Sequence, residues 1–91
     1  MFTGIIKYKG QFISLIKKRS KYFLTISTNQ KITQKEIGTS ISVNGICLTL
    51  IRAKMLKNKY LIMFYLSPET LRLSNLRFLK KHEHVNIEKS L

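Results

Sequence analysis

Residues 40–50 read Ser-Ile-Ser-Val-Asn-Gly-Ile-Cys-Leu-Thr-Leu, and this stretch carries the clearest fold signal in the sequence. The residues on both sides of Asn44-Gly45 are rich in Ile, Val, Thr and Leu, which is typical of β-strands. Asn-Gly tolerates positive φ at little cost, so the pair predicts a sharp turn between two strands. The turn would leave backbone donors and acceptors open to a flat heterocycle, but a plain hairpin or bulge explains the same residues.

Towards the N-terminus, three further segments have strand character. They cover residues 2–8, 11–16 and 21–27. In the third, Tyr22, Leu24 and Ile26 alternate with Phe23, Thr25 and Ser27, which indicates a strand with one buried face. Gly10 is expected to form a turn between the first two segments. Residues 17–20 are expected to form a solvated hairpin loop, and residues 32–37 a short helical turn closed by Gly38.

Towards the C-terminus, residues 57–59 predict a turn and residues 60–66 predict a strand. Ser67-Pro68-Glu69 then predicts the start of a short helix, because Ser caps, Pro suits the first helical position and Glu suits the positive end of the helix dipole. Leu71 and Leu76 are expected to face the core. Residues 85–87 predict a last short strand, followed by a tail. The pattern is typical of an all-β fold, a small six-stranded antiparallel barrel with one or two short helices.

Length and composition predict a single domain in a reducing compartment. The chain has 91 residues and one cysteine, so an internal disulfide framework is excluded. Lys7 and Lys9 interrupt the first apolar residues, so no secretory signal is expected. No apolar run approaches the roughly 18 residues of a membrane-spanning helix. We therefore expect a cytoplasmic protein without a membrane partner.

The formal net charge is +13, and two interpretations of it stay open. A polyanion such as RNA, DNA or an anionic membrane would favour such a charge. Alternatively, an A/T-rich genome would raise Lys and Ile together, and the sequence holds 13 Lys and 12 Ile. The lysines are spread along the chain, so we expect any nucleic-acid binding to be nonspecific.

Residues with catalytic or metal-binding chemistry are few. The four acids, all Glu, show no spacing that pairs two of them on one face. Cys47, His82 and His84 lack the spacing of a metal site, so none is expected. Cys47 has no evident base to activate it, and a buried Cys acting as a small hydrophobe is the preferred interpretation.

Four segments of the chain, in the same order, resemble riboflavin synthases. They are Met1-Phe2-Thr3-Gly4-Ile5-Ile6, the Asn44-Gly45-Ile46-Cys47-Leu48-Thr49 signature, Glu69-Thr70-Leu71-Arg72 with Asn75-Leu76, and Val85-Asn86-Ile87-Glu88. The resemblance implies a Greek-key barrel over residues 1–91, equivalent to the N-terminal half of a chain that has two such barrels in this family. The second barrel is absent from the sequence.

The resemblance also implies a function in riboflavin biosynthesis. The family transfers a four-carbon unit between two molecules of 6,7-dimethyl-8-ribityllumazine, which yields riboflavin and 5-amino-6-ribitylaminouracil without a metal or organic cofactor. Two ligands must lie face to face, which is catalysis by proximity. A single barrel is therefore expected to bind lumazine or riboflavin with at most residual activity, and a homodimer would bring two such sites together.

Thirteen residues are implied as ligand contacts. The ring is expected to meet the first segment and the strand after the turn, and the ribityl chain is expected to meet residues 65–70. The set is Gly4, Ile5, Ile6, Ser40, Cys47, Leu48, Thr49, Tyr65, Leu66, Ser67, Pro68, Glu69 and Thr70. Ile5, Ile6 and Leu48 would form an apolar floor. Two alternatives remain, a non-catalytic flavin or lumazine carrier and a basic RNA-binding barrel.

Overall fold

Six antiparallel strands close into a barrel in a computed structural model that describes residues 5–90. Around the barrel the order is β1-β2-β5-β4-β3-β6. The strands β3, β4 and β5 are neighbours in sequence order and β6 returns to lie beside β3, which is a Greek key. The predicted all-β Greek-key barrel is therefore confirmed. The strands are β1 Ile5–Lys18, β2 Lys21–Thr28, β3 Ser40–Val43, β4 Ile46–Met55, β5 Tyr60–Leu66 and β6 His84–Ser90.

Short helical pieces close the barrel ends. The helix α1 covers Pro68–Arg72, and two 3-10 turns cover Gln34–Glu36 and Leu76–Phe78. The Ser67 hydroxyl caps α1 by accepting the Thr70 backbone N–H at 3.1 Å. The predicted helix start at Pro68 is confirmed, and so is the short helical turn before Gly38. None of the helices within residues 5–90 has the length and hydropathy needed to cross a membrane.

The turn at Asn44-Gly45 is a two-residue hairpin, as predicted. Asn44 has φ 50° and Gly45 has φ 85°, and positive φ at both central positions is what a type I′ turn requires. Asn44 is also tied to β6. Its backbone N–H donates to the Asn86 carbonyl at 2.8 Å, and its side-chain Oδ1 accepts the Asn86 N–H at 2.8 Å. The backbone N–H of Asn44 is therefore not open to a ligand.

The prediction of a turn at Gly10 is wrong. The strand β1 runs past this residue, pairing with β6 up to Gln11 and with β2 from Gly10 onward. A bulge between Phe12 and Ser14 bends the strand so that it pairs with both β2 and β6. No side chain fits at Gly10, because a Cβ there would lie 2.6 Å from Ile26 Cγ2 and 2.7 Å from Ile87 Cδ1.

The core fills the barrel and extends under the helices. Leu71 and Leu76 are buried, as predicted, and Ile32 from the loop after β2 is buried with them. The strand β6 extends to Ser90, so the predicted tail after residue 87 is wrong. The largest fully buried side chains are Phe64, Leu24, Ile26, Ile32, Ile41, Leu50, Ile62, Leu66, Leu76 and Ile87, with Val43 and Val85.

Gly10→Ala is expected to lower the free energy of unfolding by about 1–3 kcal/mol, because the new methyl group overpacks a filled core. Chemical denaturation measures this loss. Adding Ile87→Val to Gly10→Ala should restore part of it, since that change removes the clashing Cδ1. Lys7→Ala at an exposed position of the same strand is the control. Full stability in Gly10→Ala would show that β1 has room for a side chain at this point.

Candidate ligand-binding site

Three of the implied ligand contacts lie in one row across the outer face of the barrel. Ser40 of β3 pairs with Thr49 of β4, and Thr49 pairs with Tyr65 of β5. Directly paired residues project from the same face of a sheet. All three side chains are exposed, and Tyr65 retains 38% of its accessible surface. We call Ser40, Thr49 and Tyr65 the polar row.

Cys47 projects from the same outer face as Thr49, two positions along β4. It is an exposed free thiol, so its interpretation as a buried small hydrophobe is wrong. The alternation of β4 explains this, because Leu48 and Leu50 take the inward positions. Leu48 is only 4% exposed and Leu66 only 1%, both inside the barrel. From the outer face, a ligand can reach the backbone of these two leucines but not their side chains.

The strand β4 extends beyond the end of β5. Pairing between the two strands begins at Thr49 and Tyr65, so within residues 5–90 Cys47 has no strand partner on that side. In a two-residue hairpin the two residues that flank the turn exchange backbone hydrogen bonds. Along the strand, the N–H and C=O groups of successive residues then point alternately towards the hairpin partner and away from it. The N–H and C=O of Cys47 therefore point towards the space that β5 leaves. We call this exposed stretch of backbone the open edge.

The open edge is bordered by the chain that follows β5. The Ser67 hydroxyl donates to Thr70 Oγ1 at 3.0 Å, so both side chains serve the cap of α1. The Glu69 carboxylate bonds to Arg72 Nη2 at 2.7 Å, with about two thirds of each side chain exposed. A surface pair of this kind contributes little to stability. Pro68 and Glu69 are exposed, whereas Ser67 and Thr70 are half-buried.

Of the residues at the start of the chain, Gly4 lies outside the described residues. The backbone of Ile5 pairs with Ser90 at the end of β6. Because Ser42 pairs with Glu88, continuing that register brings Ser40 level with Ser90. Ile5 therefore lies on the continuation of the polar row, two strands beyond Ser40. Ile6 is half-buried and pairs with Lys89.

An apolar continuation of the polar row was missed at the sequence level. Tyr65 pairs with Phe23 of β2, and their ring centroids are 6.3 Å apart. Phe23 pairs in turn with Ile16 of β1, which is 54% exposed. The Lys21 ammonium lies 5.8 Å from the Tyr65 ring centroid. The signal in the sequence was the composition of β5, whose seven residues are all apolar. Such a strand is expected to have both of its faces covered by other groups.

The polar row can donate and accept hydrogen bonds. Within residues 5–90, no hydrogen bond engages the hydroxyl of Ser40 or Thr49. Tyr65 and Phe23 beside them offer flat apolar surface for an aromatic ring. The face is open on one side, so a ligand held there would be only half enclosed by this chain. Across the described residues, no group of three or more His, Cys, Asp and Glu side chains is placed to hold a metal ion.

Comparison with known proteins shows which family the barrel belongs to. Residues 3–90 match the family described as lumazine binding domain. The chain belongs to the lumazine binding domain family. It is 36% identical to riboflavin synthase of Bacillus subtilis strain 168 and 35% identical to that of Photobacterium phosphoreum. It is 30% identical to riboflavin synthase of Buchnera aphidicola subsp. Baizongia pistaciae. All of this chain is covered in each case, against 40%, 40% and 42% of the relative.

A buried polar cluster in this lumazine-binding barrel joins the last strand, β6, to the 3-10 turn Gln34–Glu36. Lys89 Nζ bonds to Glu36 Oε1 at 2.8 Å, and both side chains are mostly buried. The Tyr8 hydroxyl is buried with no hydrogen-bond partner among the described residues. Burial, and then the negative charge of Glu36, raise the pKa of Tyr8 above its ordinary value. The phenol therefore stays neutral in the folded protein at alkaline pH.

Tyr8→Phe is expected to raise the free energy of unfolding at neutral pH by about 1 kcal/mol, because it removes an unsatisfied buried hydroxyl. Above about pH 10 the unfolded phenol loses its proton while the folded phenol keeps it. The native state then binds more protons, so wild-type stability falls with rising pH. The gap between the variant and the wild type should therefore widen above pH 10 in denaturation series. Tyr60→Phe is the control, and a gap of constant size would contradict the burial of Tyr8.

Proposed function

We propose that the chain is the lumazine-binding barrel of a riboflavin synthase, corresponding to the N-terminal of two barrels, and that it acts in riboflavin biosynthesis. The observation that carries this is the polar row beside the open edge. Among the described residues, the hydroxyls of Ser40 and Thr49 there have no hydrogen-bond partner, and the backbone of Cys47 has no strand partner on the side of β5. Riboflavin synthase is also the name of the relatives, although the chain spans only about two fifths of their length.

The chemistry of the ligand fits these groups. A lumazine or flavin ring is flat, with a pyrimidine edge that both donates and accepts hydrogen bonds. The backbone N–H and C=O of Cys47 and the hydroxyl of Thr49 can satisfy that edge, because they lie two residues apart on β4. Tyr65 supplies an aromatic surface for the ring. In this proposal the ribityl chain runs along residues 65–70. Leu48 contributes only van der Waals contact of its backbone, because its N–H and C=O face Ile41 of β3.

Ile5 and Ile6 complete the contact set in this proposal, with Gly4 before them. The register brings Ile5 to the level of Ser40, which supports a role for the start of the chain at the same face.

The exposed Cys47 thiol fits a reducing compartment, and we place the protein in the cytoplasm. The reaction needs no metal or organic cofactor, because the two reacting molecules are both lumazines.

The proposed reaction requires two ligands stacked on each other, and a single open face holds one. We propose that two copies of the chain pair across this face as a homodimer, with one ligand on each. The apolar continuation of the polar row supports the pairing, since Phe23 and Ile16 leave apolar surface beside the site. A two-fold interface uses the same patch on both copies. Activity from this pairing is expected to be residual, because both ligand sites then come from the same sequence.

Thr49→Ala is expected to weaken riboflavin binding by about 1–3 kcal/mol, because a polar ring atom would be left unpaired. Titration by quenching of riboflavin fluorescence measures the change. Cys47→Ser should have less effect, since its contacts use the backbone. Thr25→Ala is the matched control, because Thr25 is on the outer face of β2 and outside the polar row. Unchanged affinity in Thr49→Ala, or an equal loss in Thr25→Ala, would show that the ligand binds elsewhere.

Sedimentation equilibrium with riboflavin is expected to report a dimer that binds one ligand per chain. Ile16→Glu should dissociate it, because the substitution brings a charge into the apolar continuation of the row. Met55→Glu makes the same change at an exposed residue of the opposite barrel end and should leave the dimer intact. Lumazine turnover by the wild type should be slow. A monomer with the rate of a two-barrel enzyme would contradict the pairing, and a dimer without any turnover would favour a carrier.

A further inference from the structure

Cations gather in a groove at the barrel end that carries the β4–β5 hairpin. The groove has a volume of 590 Å³ and lies between the 3-10 turn Gln34–Glu36 and the end of β4. Lys31, Lys35 and Lys54 line it, together with Met55 and Tyr60. None of these residues belongs to the polar row or the open edge.

A second depression of 320 Å³ continues the first. It shares Gln34, Ala53 and Lys54 with it and adds Arg52 and Ile37. The two depressions therefore form one surface, which we call the basic groove. Its cationic side chains are those of Lys31, Lys35, Arg52 and Lys54.

No acidic side chain balances these four charges. Glu36 is the nearest acid in sequence, but its carboxylate bonds to Lys89 Nζ at 2.8 Å and to the Thr33 N–H at 3.2 Å. Glu69 is paired with Arg72, and Glu83 bonds to the backbone of Lys80. Glu88 lines a different depression, beside the Asn44-Gly45 turn. All four acids of the chain lie within residues 5–90, and none lines the basic groove.

Exposed apolar groups lie among the cations. Met55 is 73% exposed and Ile37 is 45% exposed. Tyr60, which is half-buried, adds an aromatic ring. A double helix presents phosphates but keeps its bases stacked inside. A single strand presents phosphates and unstacked bases together, and bases pack on aromatic and apolar side chains. The mixture of cations and apolar groups therefore favours a single strand.

We propose that the basic groove binds single-stranded RNA or DNA without sequence preference. The groove is separate from the ligand-binding face, because Lys54 is five residues beyond Thr49 on β4, or about 16 Å along the strand. Codon bias can raise the number of lysines in a chain. It gives no reason for four cations to meet beside exposed apolar groups with no acid among them.

A charge-matched pair of variants tests the proposal. One carries Lys35→Glu and Lys54→Glu in the groove, and the other carries Lys17→Glu and Lys18→Glu at the β1–β2 hairpin. Each lowers the net charge by four, from +13 to +9. The second pair lies in the densest run of cations in the sequence. Binding of a fluorescein-labelled oligouridine 12-mer is measured by anisotropy at low salt, and circular dichroism and thermal unfolding verify the fold of both variants.

The groove variant is expected to bind at least tenfold more weakly than the wild type, and the hairpin variant less than threefold. For wild type, four phosphate contacts predict a slope of about −2.8 in a plot of log affinity against log salt. The groove variant should lose about half of that slope. Equal losses in the two variants would overturn the proposal, since they would mean that only net charge matters. No measurable binding by the wild type at low salt would also overturn it.

Two further measurements address the single strand. Met55→Ala is expected to weaken oligouridine binding about threefold while leaving the salt slope unchanged, because it removes an apolar contact and no charge. An oligothymidine 12-mer should bind with similar affinity, and a 12-base-pair duplex at least tenfold more weakly. Equal or tighter binding of the duplex, with no effect of Met55→Ala, would overturn the assignment to single strands.

Discussion

The barrel depends on a close approach at Gly10, where β1 meets both of its neighbours. This residue pairs with Thr28 of β2 and with Val85 of β6, while the fully buried side chains of Ile26 and Ile87 pack over it. Any larger residue would separate the strands at this point. The bulge that follows bends β1, so that one continuous strand joins the two sides of the sheet. Closure also removes the unpaired edges that an open sheet of this size would expose.

Closure of the barrel separates the groups of the candidate ligand-binding face from those of the basic groove. Interior positions of β4 and β5 are filled by residues such as Leu50 and Phe64, so everything that can meet a ligand projects outward or lies at a strand end. The open edge exists because β5 stops at Leu66 and α1 turns the chain away, while β4 continues to its hairpin. At the other end of β4, Arg52 and Lys54 border the basic groove. One strand thus contributes to both surfaces.

Most of the fold was predictable, because alternating patterns, Asn44-Gly45 and Ser67-Pro68 act locally. Gly10 was misassigned because its requirement is tertiary: side chains from two other strands occupy the space. Cys47 was predicted to be buried, since a Cys in an apolar strand usually is, and only the position of Leu48 fixes which face it takes. The motifs named Ser40, Thr49 and Tyr65 separately, and the strand pairing brings them into one row. Its apolar continuation through Phe23 and Ile16 depends on strand order, which local patterns do not contain.

The pairing of Ile5 with Ser90 joins the two ends of the described chain. The hydrogen bonds between Asn44 and Asn86 add a second long-range tie to β6. β6 is the last of the six strands to be synthesised, so the nascent barrel has two uncovered edges, on β1 and β3, until β6 has left the ribosome. Contacts of such long sequence separation also slow folding, because the closure entropy must be overcome first. Exposure of these edges makes the unfinished chain a natural client for chaperones that shield strands.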